Sequence, residues 1–216
     1  MCKKIIIENL QFLFMVDEND TVMRDASMVI EDSLISDIGP TAEIYSRHER
    51  SSFDLIKDAS MLGMCPGFID SHVHLSETLS RGVFPDNLNT RAWVFHWAKP
   101  FYAFITPEDE YYGALLGTTE MLRAGTTCFL DMGSQYDPGI TVKAMRKTGI
   151  RGITGRHAAD NKPKEIPRGW SQEMVEHHFY PNAEIALADL EKCVKRYNGA
   201  LDGRVRCWVN IEGKEP

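Results

Sequence analysis

Brief apolar runs separated by polar turns fill the first part of the chain. KKIIIENL, QFLFMV, ASMVIED and SLISDIG are short, apolar and divided by turn chemistry such as DEND. Each reads as a strand. Helical periodicity first enters at about residues 42–49, so the pattern predicts part of a small β-sandwich over residues 1–62.

After Pro66 the period changes. MCPGFIDSHVHL reads as a strand entered through Pro-Gly, and TPEDEYYGALLGTTEMLRAG as a fully punctuated helix. Thr106 is placed to cap it, Pro107 takes the first helical position, and Glu108 and Asp109 complement the dipole. Tyr111, Leu115 and Leu122 are expected on its buried face, with Gly125 ending it. There follow a strand TTCFLDM, a helix from 138 to 148 stopped by Gly149, a strand IRGITGR, a long loop, a helix over about 182–197 and a strand RVRCWVNI. Strands alternating with helices predict an α/β chain with a parallel sheet and right-handed crossovers. Residues 63–216 thus read as the N-terminal half of a (β/α)8 barrel, a fold that needs about 250 residues by itself. The sequence stops at GKEP directly after the fourth strand, where half a barrel leaves open edges, so a fragment or an incomplete reading frame is expected.

Composition narrows the function. The formal net charge of −7 argues against nucleic-acid binding, which needs clustered Lys and Arg; the basic run KAMRK sits at helical spacing and reads as a solvated face. Five cysteines, none spaced as CxxC, suggest reduced thiols and not a disulfide framework or a zinc knuckle. The start MCKKIIIENL is too briefly apolar for a signal peptide or a membrane span, so a cytoplasmic protein without membrane association is expected.

The chemistry concentrates at the end of the first barrel strand. Side chains at i and i+2 of a strand share a face, which sets Phe68, Asp70, His72 and His74 on one side and Ile69, Ser71, Val73 and Leu75 on the other. The second set suits packing against helices. The first grows more polar toward the C-terminal end, where barrel active sites lie. Two imidazoles about 7 Å apart along a strand can converge on one ion. Imidazole suits zinc or iron, and a divalent ion brings the pKa of a water down to near 7, as attack on an sp² carbon requires. A bare His-x-His is more often metal-free; here the Pro-Gly entry and the helix and Gly-Thr-Thr strand that follow favour His72 and His74 as ligands.

PGFIDSHVHLSETLSRG, TPEDEYYGALLGTTEMLRAGTTCFLDM and IEDSLISDIG together resemble the amidohydrolase superfamily, in its cytosine deaminase-like and chlorohydrolase branch. The likeness runs in order through nearly the whole chain. It implies a mononuclear zinc or iron site, with a third His, an Asp, a substrate-polarising His and a proton-shuttling Glu all expected beyond residue 216. It implies substrate contacts for Arg156, otherwise a surface Arg, and for Trp93, otherwise ordinary core. The activity it implies is metal-dependent hydrolysis of non-peptide carbon–nitrogen bonds, deaminating a heteroaromatic or cyclic amidine small molecule. Cyclic amide hydrolysis, triazine-type dechlorination and a truncated non-catalytic paralogue are the alternatives.

Tyr102 stands where adenosine-type relatives carry a Glu that grips the ribose, which puts a nucleoside substrate in doubt. Glu77, where relatives often carry an uncharged residue, is within reach of the barrel mouth but reads more simply as solvent-exposed; His157 reads as a pocket candidate, His177 and His178 as loop residues that point apart, and His96 as part of an aromatic cluster with Phe95 and Trp97. Asp70 is placed to orient one of the two strand histidines or to act structurally, and Asp131 is left with the same two roles. An incomplete barrel is prone to self-association, so a homo-oligomer is also in view.

Overall fold

The computed structural model describes residues 3–162, 164–166 and 169–211. Cys2 and the closing GKEP lie outside the described residues. The chain divides into two compact units, Met1–Pro66 and Gly67–Pro216.

In the first unit, β1 (Lys4–Leu10), β2 (Phe12–Phe14), β4 (Ala26–Glu31) and β5 (Leu34–Pro40) occupy the four predicted runs. Three further strands, β3 (Val22–Met23), β6 (Leu55–Asp58) and β7 (Gly63–Met64), have two to four residues each, too few to show a period of two. They assemble as two sheets, β5-β4-β1-β6 and β3-β2-β7. Leu10, Leu13, Ala26 and Met28, joined by Met23 and Met64, draw residues from both sheets into one core. Ile6 and Val29 pack with Ile44 of α1 (Thr41–Arg47) in a second cluster. Strand alternation explains the split, since Ile6 and Val29 are register partners while Ile7 faces the other way.

The second unit holds a parallel sheet of β8 (Phe68–Val73), β9 (Thr126–Asp131), β10 (Arg151–Thr154) and β12 (Val205–Cys207), with spatial order β12-β10-β9-β8. Sequential strands lie side by side with helices between them, as the alternating pattern predicts. The predicted strand RVRCWVNI breaks in two, and IRGITGR stops at Thr154 with a further short strand just beyond it. These outer pieces, β11 (His157–Ala158) and β13 (Asn210–Ile211), pair with each other. The break is tight: a Cβ on Gly155 would lie 2.3 Å from the Trp208 carbonyl oxygen, so only Gly lets the two chains pass there.

Helix α4 (Pro107–Arg123) starts as predicted, with Thr106 and Asp109 forming a reciprocal capping box. Its buried stripe differs from the expected one. Tyr111 and Leu115 flank the core around Phe129, but Leu122 is exposed. The stripe is instead Glu110, Gly113, Ala114, Gly117 and Thr118, small apart from Glu110, because a 3₁₀ turn over Leu75–Ser80 lies directly on the helix. A Cβ on Gly117 would meet Thr78 Oγ1 at 2.9 Å.

Helix α5 (Gly139–Thr148) ends on Gly149 in the left-handed region, its N–H bonded to the Met145 carbonyl. Part of the expected long loop is a helix, α6 (Gln172–His178), started by the Ser171 hydroxyl accepting from Met174 N; His177 and His178 therefore end a helix and not a loop. Helix α7 (Ala183–Tyr197) follows and is capped by Asn182.

Between β8 and α4, residues 90–104 form one continuous helical segment. It comprises α2 (Thr90–Trp93), a π turn over Val94–Ala98, and α3 (Lys99–Phe104).

Candidate active site

Asp131 fixes the floor of the site. Its buried carboxylate accepts from Leu75 N at 3.1 Å and from Thr154 Oγ1 at 3.0 Å, and its carbonyl accepts from Asn210 Nδ2 at 3.3 Å. One residue thereby gathers the C-terminal ends of the strand series. Desolvation pushes its pKa up to about 6.

Strand β8 ends just before His74, and its register with β9 shifts between Asp70 and Val73. The shift breaks the simple alternation. Val73 and Leu75 join the core as expected, whereas Ile69 is exposed on the edge strand. The rings of His72 and His74 lie 5.2 Å apart, centroid to centroid, at 63°. Asp70 serves the backbone, accepting from His72 N at 3.1 Å, and makes no bond to either ring among those described.

His72 and His74 line a cavity of about 420 Å³ together with Trp93, Val94, Ala98, Lys99, Tyr102, Met132, His157, Val209 and Asn210. The π turn shapes one wall. It lets Trp93 and Ala98, five apart, face the same side, and Tyr102 continues that face one α turn later. Trp93 meets His74 edge to face at 6.2 Å. Burial, followed by the charges of His72 and His157, lowers the His74 pKa to about 4, so the ring is neutral at pH 7.

Glu77 is not the solvated residue expected. Its side chain is 15% exposed; Oε1 lies 3.4 Å from His74 Nδ1 and accepts from the Tyr102 hydroxyl. Burial raises its pKa, opposed by the Tyr102 bond. His96 also departs from expectation: it is exposed on the π turn, while Phe95 and Trp97 are half-buried.

Arg156 lines a different cavity of about 550 Å³ with Tyr136, His177, Tyr180 and Asp189, and the two linings share no residue. Its Nη1 donates to the Ser134 carbonyl at 3.0 Å and its Nε to Tyr180 Oη at 3.2 Å. His177 packs on Tyr136 in this cavity, whereas its neighbour His178 stacks parallel to Tyr102 and lies 5.7 Å from His157.

The sequence profile of the amidohydrolase family matches residues 64–212. The chain belongs to the amidohydrolase family. A 5-methylthioadenosine/S-adenosylhomocysteine deaminase of Desulforamulus reducens is 31% identical over 88% of this chain and 38% of its own length. A 5'-deoxyadenosine deaminase of Methanobrevibacter smithii is 33% identical over 88% of this chain and 41% of its own. This amidohydrolase chain thus spans about two fifths of the length of those curated relatives. Among solved structures, an atrazine chlorohydrolase of Arthrobacter aurescens complexed with zinc superposes with a TM-score of 0.74 at 20% identity, covering 97% of this chain and 47% of that one. An adenosine deaminase of Xanthomonas campestris with bound zinc gives 0.72 at 22%, covering 95% and 42%. At these identities the likeness speaks for the fold.

Against the metal of such relatives, the amidohydrolase residues present offer a pair of imidazoles, one of them neutral and half-buried. That donor set suits zinc or iron. No group of three His, Cys, Asp or Glu able to hold an ion occurs among the described residues, so the pair fits as half of a coordination set. Of the four residues singled out in the sequence, His72, His74 and Trp93 line one cavity and Arg156 another; Lys99, not singled out, is 2% exposed and lies 5.3 Å and 5.2 Å from the Phe95 and Phe179 ring centroids. A Lys inside the aromatic run FHWAKPFY was the available signal. None of the described helices is long and apolar enough to cross a membrane.

Proposed function

We propose that this chain carries the metal-binding half-site of a hydrolase of non-peptide carbon–nitrogen bonds, with His72 and His74 as ligands, which deaminates a heteroaromatic or cyclic amidine ring. The observation that carries the reading is the meeting of the two imidazoles and Trp93 at one cavity. A divalent ion held there, zinc or iron, supplies Lewis acidity that lowers the pKa of a water to near 7. The chain's own groups supply the rest. Trp93 gives an aromatic wall against which a flat heterocycle packs. His157 lines the same cavity, and Arg156, which lines the other, is assigned to an electron-rich part of the substrate. The deaminase names of the curated relatives support ammonia as the leaving group. The four described cysteines are free thiols, which suits a reducing cytoplasm.

A protein that joins this half-site to the remaining ligands is expected to hold close to one zinc or iron per chain, and its His72→Ala variant to lose most of it; the pair alone should bind metal weakly. Unchanged metal in that variant ends the ligand assignment. Ammonia release is then screened over 5'-deoxyadenosine, methylthioadenosine, guanine and aminotriazines. Silence on every ring defeats the deaminase reading.

A further inference from the structure

Glu77 is a carboxylate folded into a protein interior, and the folding is built in. It sits in the 3₁₀ turn that begins directly after His74, and its backbone N–H donates to the His74 carbonyl at 3.0 Å. The turn is pinned from within, Thr78 Oγ1 donating to the Leu75 carbonyl and Ser80 Oγ to that of Glu77. It is pinned from below by Gly113 and Gly117, whose missing side chains admit it onto α4. The carboxylate is thereby returned over the imidazole that precedes it.

Two oxygens approach His74 Nδ1, each at 3.4 Å: Glu77 Oε1 and Tyr102 Oη. The Tyr102 hydroxyl donates to Glu77. Its oxygen therefore shows Nδ1 a lone pair, as the carboxylate does. A nitrogen facing two acceptors is satisfied only as a donor, and a neutral imidazole has one N–H. The other tautomer would set three lone pairs together in a half-buried site.

We propose that Glu77, seconded by Tyr102, is a positioning residue that holds His74 as the Nδ1–H tautomer and so leaves Nε2 as the ring's lone-pair donor. The proposal rests on the reading of His74 as a metal ligand, whose other nitrogen is commonly oriented in this manner. Asp70, the nearer carboxylate in sequence, is engaged with the His72 backbone.

The test is made first without metal. Long-range ¹H–¹⁵N NMR on ¹⁵N-histidine-labelled protein, with His74 assigned by the signals lost in His74→Gln, reports the tautomer directly. The expected result is Nδ1–H in the unmodified protein, retained in Glu77→Gln, whose amide oxygen still accepts, and shifted toward Nε2–H in Glu77→Ala. Zinc affinity, from competition titration, is expected to fall about 10- to 100-fold in Glu77→Ala and much less in Glu77→Gln. An Nε2–H tautomer in the unmodified protein overturns the proposal, with no variant needed. So does an Nδ1–H tautomer that persists in Glu77→Ala. Failure of the ligand assignment shows separately, as unchanged metal content in His72→Ala.

Discussion

Glu110 lies at the buried start of α4, where Oε1 accepts from Gln135 N at 2.9 Å. Burial is the main reason its pKa rises from 4.5 to about 7. Such a group is neutral when folded at a pH where the unfolded chain would ionise it. Its contribution to stability is complete below pH 4.5 and is lost as pH rises through 7. Asp131 acts in the same sense between 3.8 and about 6. The Glu110 contribution is therefore expected to decline by roughly 3 kcal/mol between pH 4.5 and about 7, at about 1.4 kcal/mol per unit, while His74, neutral when folded, acts in the opposite sense between about 4 and 6.5. Urea denaturation of Glu110→Gln across that range should give a visibly flatter profile, and an unchanged slope would refute this account. At this scale the sequence was partly legible. Strand spacing put His72 and His74 side by side, but it could not decide between a solvated Glu77 and one turned toward the barrel mouth. That depends on two glycines some forty positions away on α4 making room for the turn.

Helix ends were more readable than helix faces. Thr106 and Gly149 announce their caps through local chemistry, and the structure places them as expected, with Asp109, read only as a dipole partner, closing the capping box. The buried face of α4 is decided by the turn lying on it, information absent from the helix's own sequence. Gly117→Leu tests that packing. Helix propensity alone would favour Leu by about 0.8 kcal/mol. The side chain must displace Thr78 and Leu75, so a net loss of about 1–3 kcal/mol is expected, read by chemical denaturation. A stabilised variant would mean that the turn yields easily. Helix α6 escaped the sequence reading because seven residues are too few to establish a period of 3.6. The π turn escaped it because five-residue closure has no composition signature of its own.

For the molecule as a whole, the alternation of strands and helices was enough to give the parallel sheet and its order, since neighbours in sequence became neighbours in space. The split tips β11 and β13 were not foreseeable, being set by the close passage at Gly155. Among the described residues β8 is an edge strand, with Phe68 and Ile69 61% and 72% exposed. Expressed as these 216 residues, the chain is expected to self-associate through that edge, and Ile69→Lys to lower the sedimenting mass at equal concentration. An unaltered mass would place any association elsewhere. The bonds from Asp131 have a different kind of consequence. It is absent from the cavity lining, yet its carboxylate holds the backbone one step past His74 from a position 56 residues downstream. If His72 and His74 bind metal as proposed, a genetic screen for lost metal binding should therefore return position 131 beside 72 and 74, and its hits would mimic missing ligands while both imidazoles remained intact.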